Sequence, residues 1–511
     1  MGPDPVDDDK VARPEPVAAP PPPPTPTPTP PAPGIEGDTV LAVRGGLSLL
    51  VLQTVVRLVA FGSVAAVTRH LQPDQLGRYS AAAACILFAN FLADFGTSPA
   101  ITRLSSRTPG EADSLLSGTL LSSLILGSVV YAGVVAAAVA LYPAVGTVDV
   151  ALAGLAIPAA AMASSILGAL DGEGFIARRA VVTAVQNLIV AGGMVPVLLG
   201  ASVRAPIVAI AVGPWVGLVL AWWMAKRAGF WRSSLHFDMA RTKALLRTAL
   251  PFGLSGGLTA LTLRFDVILL SVLRPGGETA SYDLAVRMLE ATTYLGSAVC
   301  GPLLFMLSGR IGRKDWDGAS RAFTEALRAM YLLGLPLSVG LAVLARPLVA
   351  MAFGPGFDDA AAPLAIMGAA QWLTFVILVQ GALVMAGEAV GRGIVVGAMI
   401  AFVTVAFDVL LVPPFGAVGA ALAAVIAWVF GAIALHHFHR RTHGIGTPIP
   451  PPSLLVAAGA MAAVMFLLRD APVVVPVVVG SLVYVTGLLV TGAVGRSDLR
   501  RLQAVLSRGA A

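Results

Sequence analysis

Four charged residues stand inside two segments that are otherwise apolar enough to cross a bilayer. In LRFDVILLSVLRPGGETASYDLAVRMLEATTYL, residues 263–295, Arg264 and Asp266 lie shortly before the end of one apolar run near Leu273. Arg287 and Glu290 lie inside the next run, which starts near Tyr282. At a rise of about 1.5 Å per residue, two antiparallel helices joined by a turn over 274–281 would hold all four groups at similar depth. A charge at the centre of a membrane helix costs roughly 2.5–3.5 kcal/mol on insertion scales, so such residues face a bundle interior or a watery cavity and find partners there. The spacing therefore predicts one intramembrane polar cluster able to hold a charged ligand. The plainer alternative is that Arg264 with Asp266 or Glu290, and Arg287 with Asp283 one turn earlier, are ion pairs that only hold helices together.

The first part of the chain repeats the pattern more sparsely. Arg57 sits near the middle of an apolar run with Gln53 one turn earlier, and Asn90 and Asp94 form an i, i+4 pair on a second run. Arg57, Asn90, Asp94, Arg264, Asp266, Arg287 and Glu290 are therefore the candidate site residues. Gln186, Asn187, Gln371, Gln380 and Asp408 are also polar at membrane depth, where they either line a pathway or hydrogen-bond between helices.

The elements that must position these groups follow from composition. Of 511 residues, 57% are apolar and only 12% are charged, with mean hydropathy +0.84; soluble domains carry about 25% charged residues. This predicts an all-α polytopic membrane protein. Runs of apolar residues long enough to span centre near residues 57, 90, 127, 160, 189, 215, 261, 293, 337, 373, 402, 427, 460 and 482, about fourteen transmembrane helices. Pro99, Pro158, Pro251, Pro302 and Pro336 mark candidate bends. The net charge of +6 gives no nucleic-acid patch, because the basic residues lie between apolar runs rather than among aromatics. Cys85 and Cys300 both fall within spans and form no CxxC motif. His436, His437, His439 and His443 cluster in HHFHRRTH, which reads as a basic interfacial anchor rather than a metal site. No metal and no cofactor is expected.

Residues 1–38 are Pro-rich and lack the apolar residues to bury a core, so they are expected to be a disordered tail. Lys and Arg counts in the loops orient the rest. With the N-terminus cytoplasmic, inner loops carry 17 basic residues and outer loops 6, which predicts that both termini lie inside. The longest connection, 226–247, is a cytoplasmic linker dividing a six-helix lobe over 39–225 from another over 248–438. Two additional helices follow over 439–495, then a cytoplasmic tail over 496–511. The two lobes are pseudo-symmetric: LQPDQLGRYSAAA from Leu71 parallels LRPGGETASYDLA from Leu273, and Gly172-Glu173 with Arg178 parallels Gly387-Glu388 with Arg392. A duplicated bundle with a site between its halves is the architecture of many alternating-access transporters.

Three passages carry a resemblance to a known family. VVRLVAFGSVAAVTRHLQPDQLGRYSAAAACILFANFLADFG, FDVILLSVLRPGGETASYDLAVRM and FGPGFDDAAAPLAIMG resemble Wzx-type polysaccharide and O-antigen flippases of the multidrug/oligosaccharidyl-lipid/polysaccharide exporter superfamily, which are related to lipid II flippases. The resemblance covers roughly residues 40–495. It implies two six-helix lobes around a central cavity, two extra helices as in saccharide-lipid flippases, and movement of a polyprenyl diphosphate-linked oligosaccharide from the inner to the outer leaflet of a bacterial plasma membrane. The family's cavity is commonly cationic, and Arg57, Arg264 and Arg287 are the residues here that meet that need, since guanidinium groups offer fixed charge and bidentate donors to a diphosphate. Asp94, Asp266 and Glu290 depart from that pattern: they either cancel the attraction or pair with the arginines when the site is empty.

The expected function is thus a flippase for a cell-envelope polysaccharide precursor, working by alternating access, with an ion gradient or the membrane potential as the possible drive. Its expected partners are the lipid-linked saccharide, membrane lipids and proteins of glycan biosynthesis. A cation-coupled multidrug antiporter using the carboxylates, and a lipid II flippase, are the alternatives. A membrane glycan polymerase or ligase is set aside because the outer loops are too short to carry acid, base and Arg residues; no enzyme activity is expected.

Overall fold

In a computed structural model of the chain, the described residues are Gly2, 55, 56, 58–107, 112–142, 144–229, 239–387 and 390–492. Arg57, the remainder of the Pro-rich 1–38 segment and the 496–511 tail lie outside them. Helices dominate because a lipid-embedded backbone has no water to bond and must satisfy its N–H and C=O groups within the segment.

The helices are α1 (Leu58–Val67), α2 (Pro73–Asp94), α3 (Thr97–Arg107), α4 (Ala112–Leu141), α5 (Ala144–Gly154), α6 (Ala156–Gly172), α7 (Ile176–Gly192), α8 (Val195–Leu198) and α9 (Arg204–Ala228). They continue with α10 (Met239–Leu273), α11 (Gly277–Gly312), α12 (Trp316–Val343), α13 (Ala345–Phe353), α14 (Ala361–Ala369), α15 (Gln371–Ala386), α16 (Val390–His443), α17 (Pro452–Leu467) and α18 (Val474–Val490). Among the described residues eight helices are long and apolar enough to cross a membrane, or ten if each of two bent pairs is one span. The long α16 also leaves helical geometry at Gly416 (φ 55°), just after Pro413-Pro414, and so divides into two spans. The shorter apolar α1, α17 and α18 stand where the first and last two spans are expected. One bend, of 42°, falls between Ser297 and Cys300. Pro302 explains it, because a proline removes the N–H that would bond the carbonyl four residues back and its ring crowds that turn.

Side-chain burial reverses the soluble pattern. Phe305, Phe402, Val478 and Leu482 point outward, while Asp149, Asp266, Asp283 and Asp408 are buried. Lipid rather than water surrounds the bundle, so apolar side chains gain nothing by turning inward and polar ones gather there. One packed core joins α2, α6 and α9 to α10, α11 and α16 through residues such as Tyr79, Ile157, Ile207, Tyr282 and Val412. The α17–α18 pair packs on α12, where Tyr484 donates to the Leu332 carbonyl at 3.2 Å.

Candidate functional site

The α10–α11 hairpin is tighter than its sequence suggested: α10 ends at Leu273 and α11 starts at Gly277, leaving residues 274–276 as the turn. Gly276 makes that possible with φ 93°, a backbone conformation costly for any residue carrying a Cβ. On α11, Asp283, Arg287 and Glu290 are spaced by four and three residues and so share one face. Arg287 Nε donates to Asp283 Oδ2 at 2.7 Å. Arg264, from α10, places Nη1 3.8 Å from Asp283 Oδ1 and donates from Nη2 to Glu290 Oε1 at 2.8 Å. The result is a relay, Arg287–Asp283–Arg264–Glu290, with two positive and two negative groups. Ser80 of α2 donates to Asp283 at 2.7 Å, and the Arg287 guanidinium lies 5.8 Å from the Tyr79 ring centroid.

The two carboxylates of the relay are held very differently. Asp283 has only 2% of its side chain exposed and three partners; Glu290 has 36% exposed and one. Removing a partner from a buried ion pair strands a charge and costs several kcal/mol, roughly 3–5, whereas Glu290, about a third exposed and held by one bond, is held less firmly. Asp283 is therefore a fixed counter-ion and Glu290 a replaceable one. Arg264 also keeps a buried Nε with no hydrogen-bond partner, a donor free for a ligand.

These groups border a cavity of about 360 Å³ lined by Tyr79, Asn90, Gln186, Asn187, Arg264, Asp283 and Arg287 together with apolar residues including Ile210 and Pro214. Of the residues singled out in the sequence, Asn90, Arg264 and Arg287 line it, and Glu290 touches it through Arg264. Asp266 does not. It lies two residues beyond Arg264, about 200° around the helix, where it accepts from Tyr282 Oη at 2.5 Å and from the Val267 amide at 2.7 Å. Asp94 stands apart as well, accepting from Ser164 Oγ at 2.6 Å and from Thr97 Oγ1 and the Ser98 amide at 3.3 Å, so that it caps α3 and ties it to α6. Asp283 and Tyr79 were not among the candidates. Asp283 announced itself only by its i, i+4 spacing to Arg287.

Of the other polar residues at membrane depth, Gln371 braces α15 against α11, donating to Thr293 Oγ1 at 2.8 Å and the Leu289 carbonyl at 3.2 Å. Gln380 donates to Thr447 Oγ1 at 2.9 Å. Asp408, on α16, is buried with neither carboxylate oxygen partnered and in electrostatic reach of Asp266. Among the described residues no group of three His, Cys, Asp or Glu is arranged to hold a metal. Of the histidine cluster, His439 does not face outward: it is buried beside Phe323 and bonds the Gln380 carbonyl at 3.0 Å.

Past both ends of the cavity the two parts of the chain touch backbone to backbone. At one end α2 meets the hairpin turn: a Cβ on Gly77 would lie 2.1 Å from the Gly276 carbonyl oxygen, and the Gly277 amide donates to Asp74 at 3.1 Å. The partners here are the two Leu-x-Pro repeats themselves. Tyr142 and Ser271 hydroxyls also join at 2.6 Å. At the other end, just past α2, a Cβ on Gly253 would lie 2.7 Å from the Phe95 carbonyl oxygen. Contacts this close exclude any side chain.

Comparison with known proteins places this architecture. The family model described as "Polysaccharide biosynthesis protein" matches residues 42–305, and that described as "Lipid II flippase MurJ" matches 185–495. Among solved structures, an inward-closed lipid II flippase MurJ superposes with TM-score 0.73 at 15% identity, covering 89% of this chain and 99% of that one. An inward-facing multidrug resistance MATE family transporter of the MOP superfamily gives 0.58 at 15% identity, over 76% and 94%. A MOP superfamily transporter from Pyrococcus furiosus, described as having a binding pocket of reversed polarity, gives 0.56 at 16% identity, over 79% and 95%. No curated protein matches the chain by sequence. With each family model covering more than half of its 511 residues, the chain belongs to the flippase families of the multidrug/oligosaccharidyl-lipid/polysaccharide exporter superfamily, as a multi-pass membrane transporter and not an enzyme.

Proposed function

We propose that the protein flips a polyprenyl diphosphate-linked oligosaccharide, a precursor of a cell-envelope polysaccharide, from the inner to the outer leaflet of a bacterial plasma membrane, with both termini cytoplasmic. The observation that carries this reading is the unequal relay. Arg264 pairs with a carboxylate that is about one-third exposed and singly bonded, and its Nε has no partner among the described residues. A phosphate entering the cavity would replace Glu290 on Arg264 with a charge-assisted, bidentate contact, while Asp283 keeps Arg287 in place. The empty site is electrically balanced without substrate, which answers how two arginines stay charged at membrane depth. The lipid tail remains in the bilayer as the two six-helix lobes rock, and proteins of glycan biosynthesis supply the substrate and take the product.

Asp266 and Asp408 favour ion coupling as part of this reading. Two buried carboxylates in electrostatic reach, one of them without a hydrogen-bond partner, are costly without a proton or cation. The same pair is what an antiporter for cationic drugs would use.

The test is depletion of the protein followed by analysis of membrane lipids with a leaflet-specific label. Accumulation of a saccharide-diphosphate lipid on the cytoplasmic face is expected, and its mass separates an oligosaccharide carrier from lipid II. Sensitivity to cationic compounds with no such accumulation would transfer the function to the carboxylates.

A further inference from the structure

The cavity is chemically divided between the two parts of the chain. Among the described residues, the charged ones lining it, Arg264, Asp283 and Arg287, come from α10 or α11. Its three amides, Asn90, Gln186 and Asn187, come from α2 and α7. Asn90 buries an Oδ1 with no partner, and the structure gives the three side chains no hydrogen bond to another described residue. Buried amides are ordinarily satisfied, so the open Asn90 Oδ1 is an acceptor for a ligand, and the half-buried Gln186 and Asn187 stand on the same wall.

One of these amides is held closely by the neighbouring helix. Gln186 lies across α9 at Gly217, where an added Cβ would come 1.9 Å from Gln186 Nε2. Around the amides the surface is apolar, formed by Val190, Ile210 and Pro214, with the Tyr79 ring towards the arginines. An apolar surface with a few placed amides suits a sugar, which presents C–H faces between hydroxyl or acetamido groups, each both donor and acceptor. It suits an anionic sugar less well, because a carboxylate on this wall would compete with the diphosphate for Arg264 and Arg287, the cations that line the same cavity. The volume, about 360 Å³, lies within the range of small-ligand sites.

We propose that Asn90, Gln186 and Asn187 form a subsite for an uncharged saccharide unit, so that the substrate bridges the chain, its diphosphate on the α10–α11 arginines and its first sugar on the α2–α7 amides. The proposal rests on the diphosphate reading given above. It makes the amides the residues that decide specificity, since a buried amide left unpaired penalises a headgroup without the sugar.

The experiment compares affinities of the purified full chain for two probes, a polyprenyl diphosphate and the same lipid bearing one N-acetylglucosamine. The natural chain should prefer the sugar-bearing lipid about tenfold, the scale of two or three net hydrogen bonds. Gln186→Leu and Asn187→Leu should each lower the ratio to about three- to fivefold and together bring it close to one, and Gln186→Met serves where the Leu variant unfolds. Arg264→Gln should weaken both lipids and leave the ratio standing. A ratio near one in the natural chain, or a tenfold ratio surviving in both amide variants, overturns the subsite while leaving the diphosphate reading intact. Failure of the natural chain to hold either lipid overturns both.

Discussion

The two glycine contacts beyond the cavity make opposite predictions for a pair of alanine substitutions. Gly77 lies in the first turns of α2 with ordinary helical backbone, and a methyl there would stop 2.1 Å from the Gly276 carbonyl oxygen, about 1.3 Å inside the 3.4 Å at which ordinary contact begins. Neither atom can yield, since one is backbone on a turn and the other is fixed to its own helix. Gly77→Ala should stabilise α2 locally, because alanine is the better helix former by about 0.8–1 kcal/mol, and at the same time disfavour closure of that end. Overpacking of this kind costs about 1–3 kcal/mol, which is a shift of roughly five- to hundredfold in the closed population. Gly253→Ala meets Phe95 at 2.7 Å and should disfavour closure of the opposite end. Distances between spin labels placed across each end, measured by pulsed electron resonance, report both closures in one preparation. The reasoning is refuted if Gly77→Ala leaves its own end as closed as in the natural chain, or if both variants open the same end.

Three further predictions rest on particular side chains. Glu290→Gln removes the replaceable counter-ion of Arg264 and a carboxylate that would repel the phosphates, so a polyprenyl diphosphate should bind at least about fivefold tighter, about 1 kcal/mol, whereas Asp283→Asn should destabilise the protein; titration of the lipid and a thermal melt check each. At the start of α12, Asp315 accepts the Gly318 amide at 2.8 Å as an N-cap, so Asp315→Ala should lower stability by about 1 kcal/mol and lower Tm without changing lipid affinity.

The legible part of the site was the part written along one helix. Asp283, Arg287 and Glu290 recur every three or four residues on α11, and their common face follows from helical geometry alone. Arg264 joined them because a hairpin places the end of one helix beside the start of the next. Asp266 and Asp94 were chosen by the same logic and do not border the cavity. Depth in the membrane can be counted from sequence, but rotation about the helix axis decides whether a group meets the cavity, and Asp266 is turned away to Tyr282 while Asp94 is spent on the α3 terminus. Gln186 and Asn187 were visible as polar residues at depth, yet nothing near them in the chain says that they face Arg264.

Composition and hydropathy alone determined that this chain is a helical membrane protein, where its apolar helices lie, and that charges at membrane depth need partners. These are properties of each segment in contact with lipid, and each segment carries them in its own residues. The tertiary structure alone decided which carboxylate balances which arginine, that the amides of α2 and α7 stand across a cavity from the charges of α10 and α11, and that the two Leu-x-Pro repeats close upon each other at Gly77 and Gly276. Those pairings join residues up to about two hundred positions apart, and they depend on how helices roll and pack against one another. A lipid environment, as apolar as the helix surfaces themselves, leaves that choice to close backbone contacts and polar partners rather than to hydrophobic pattern.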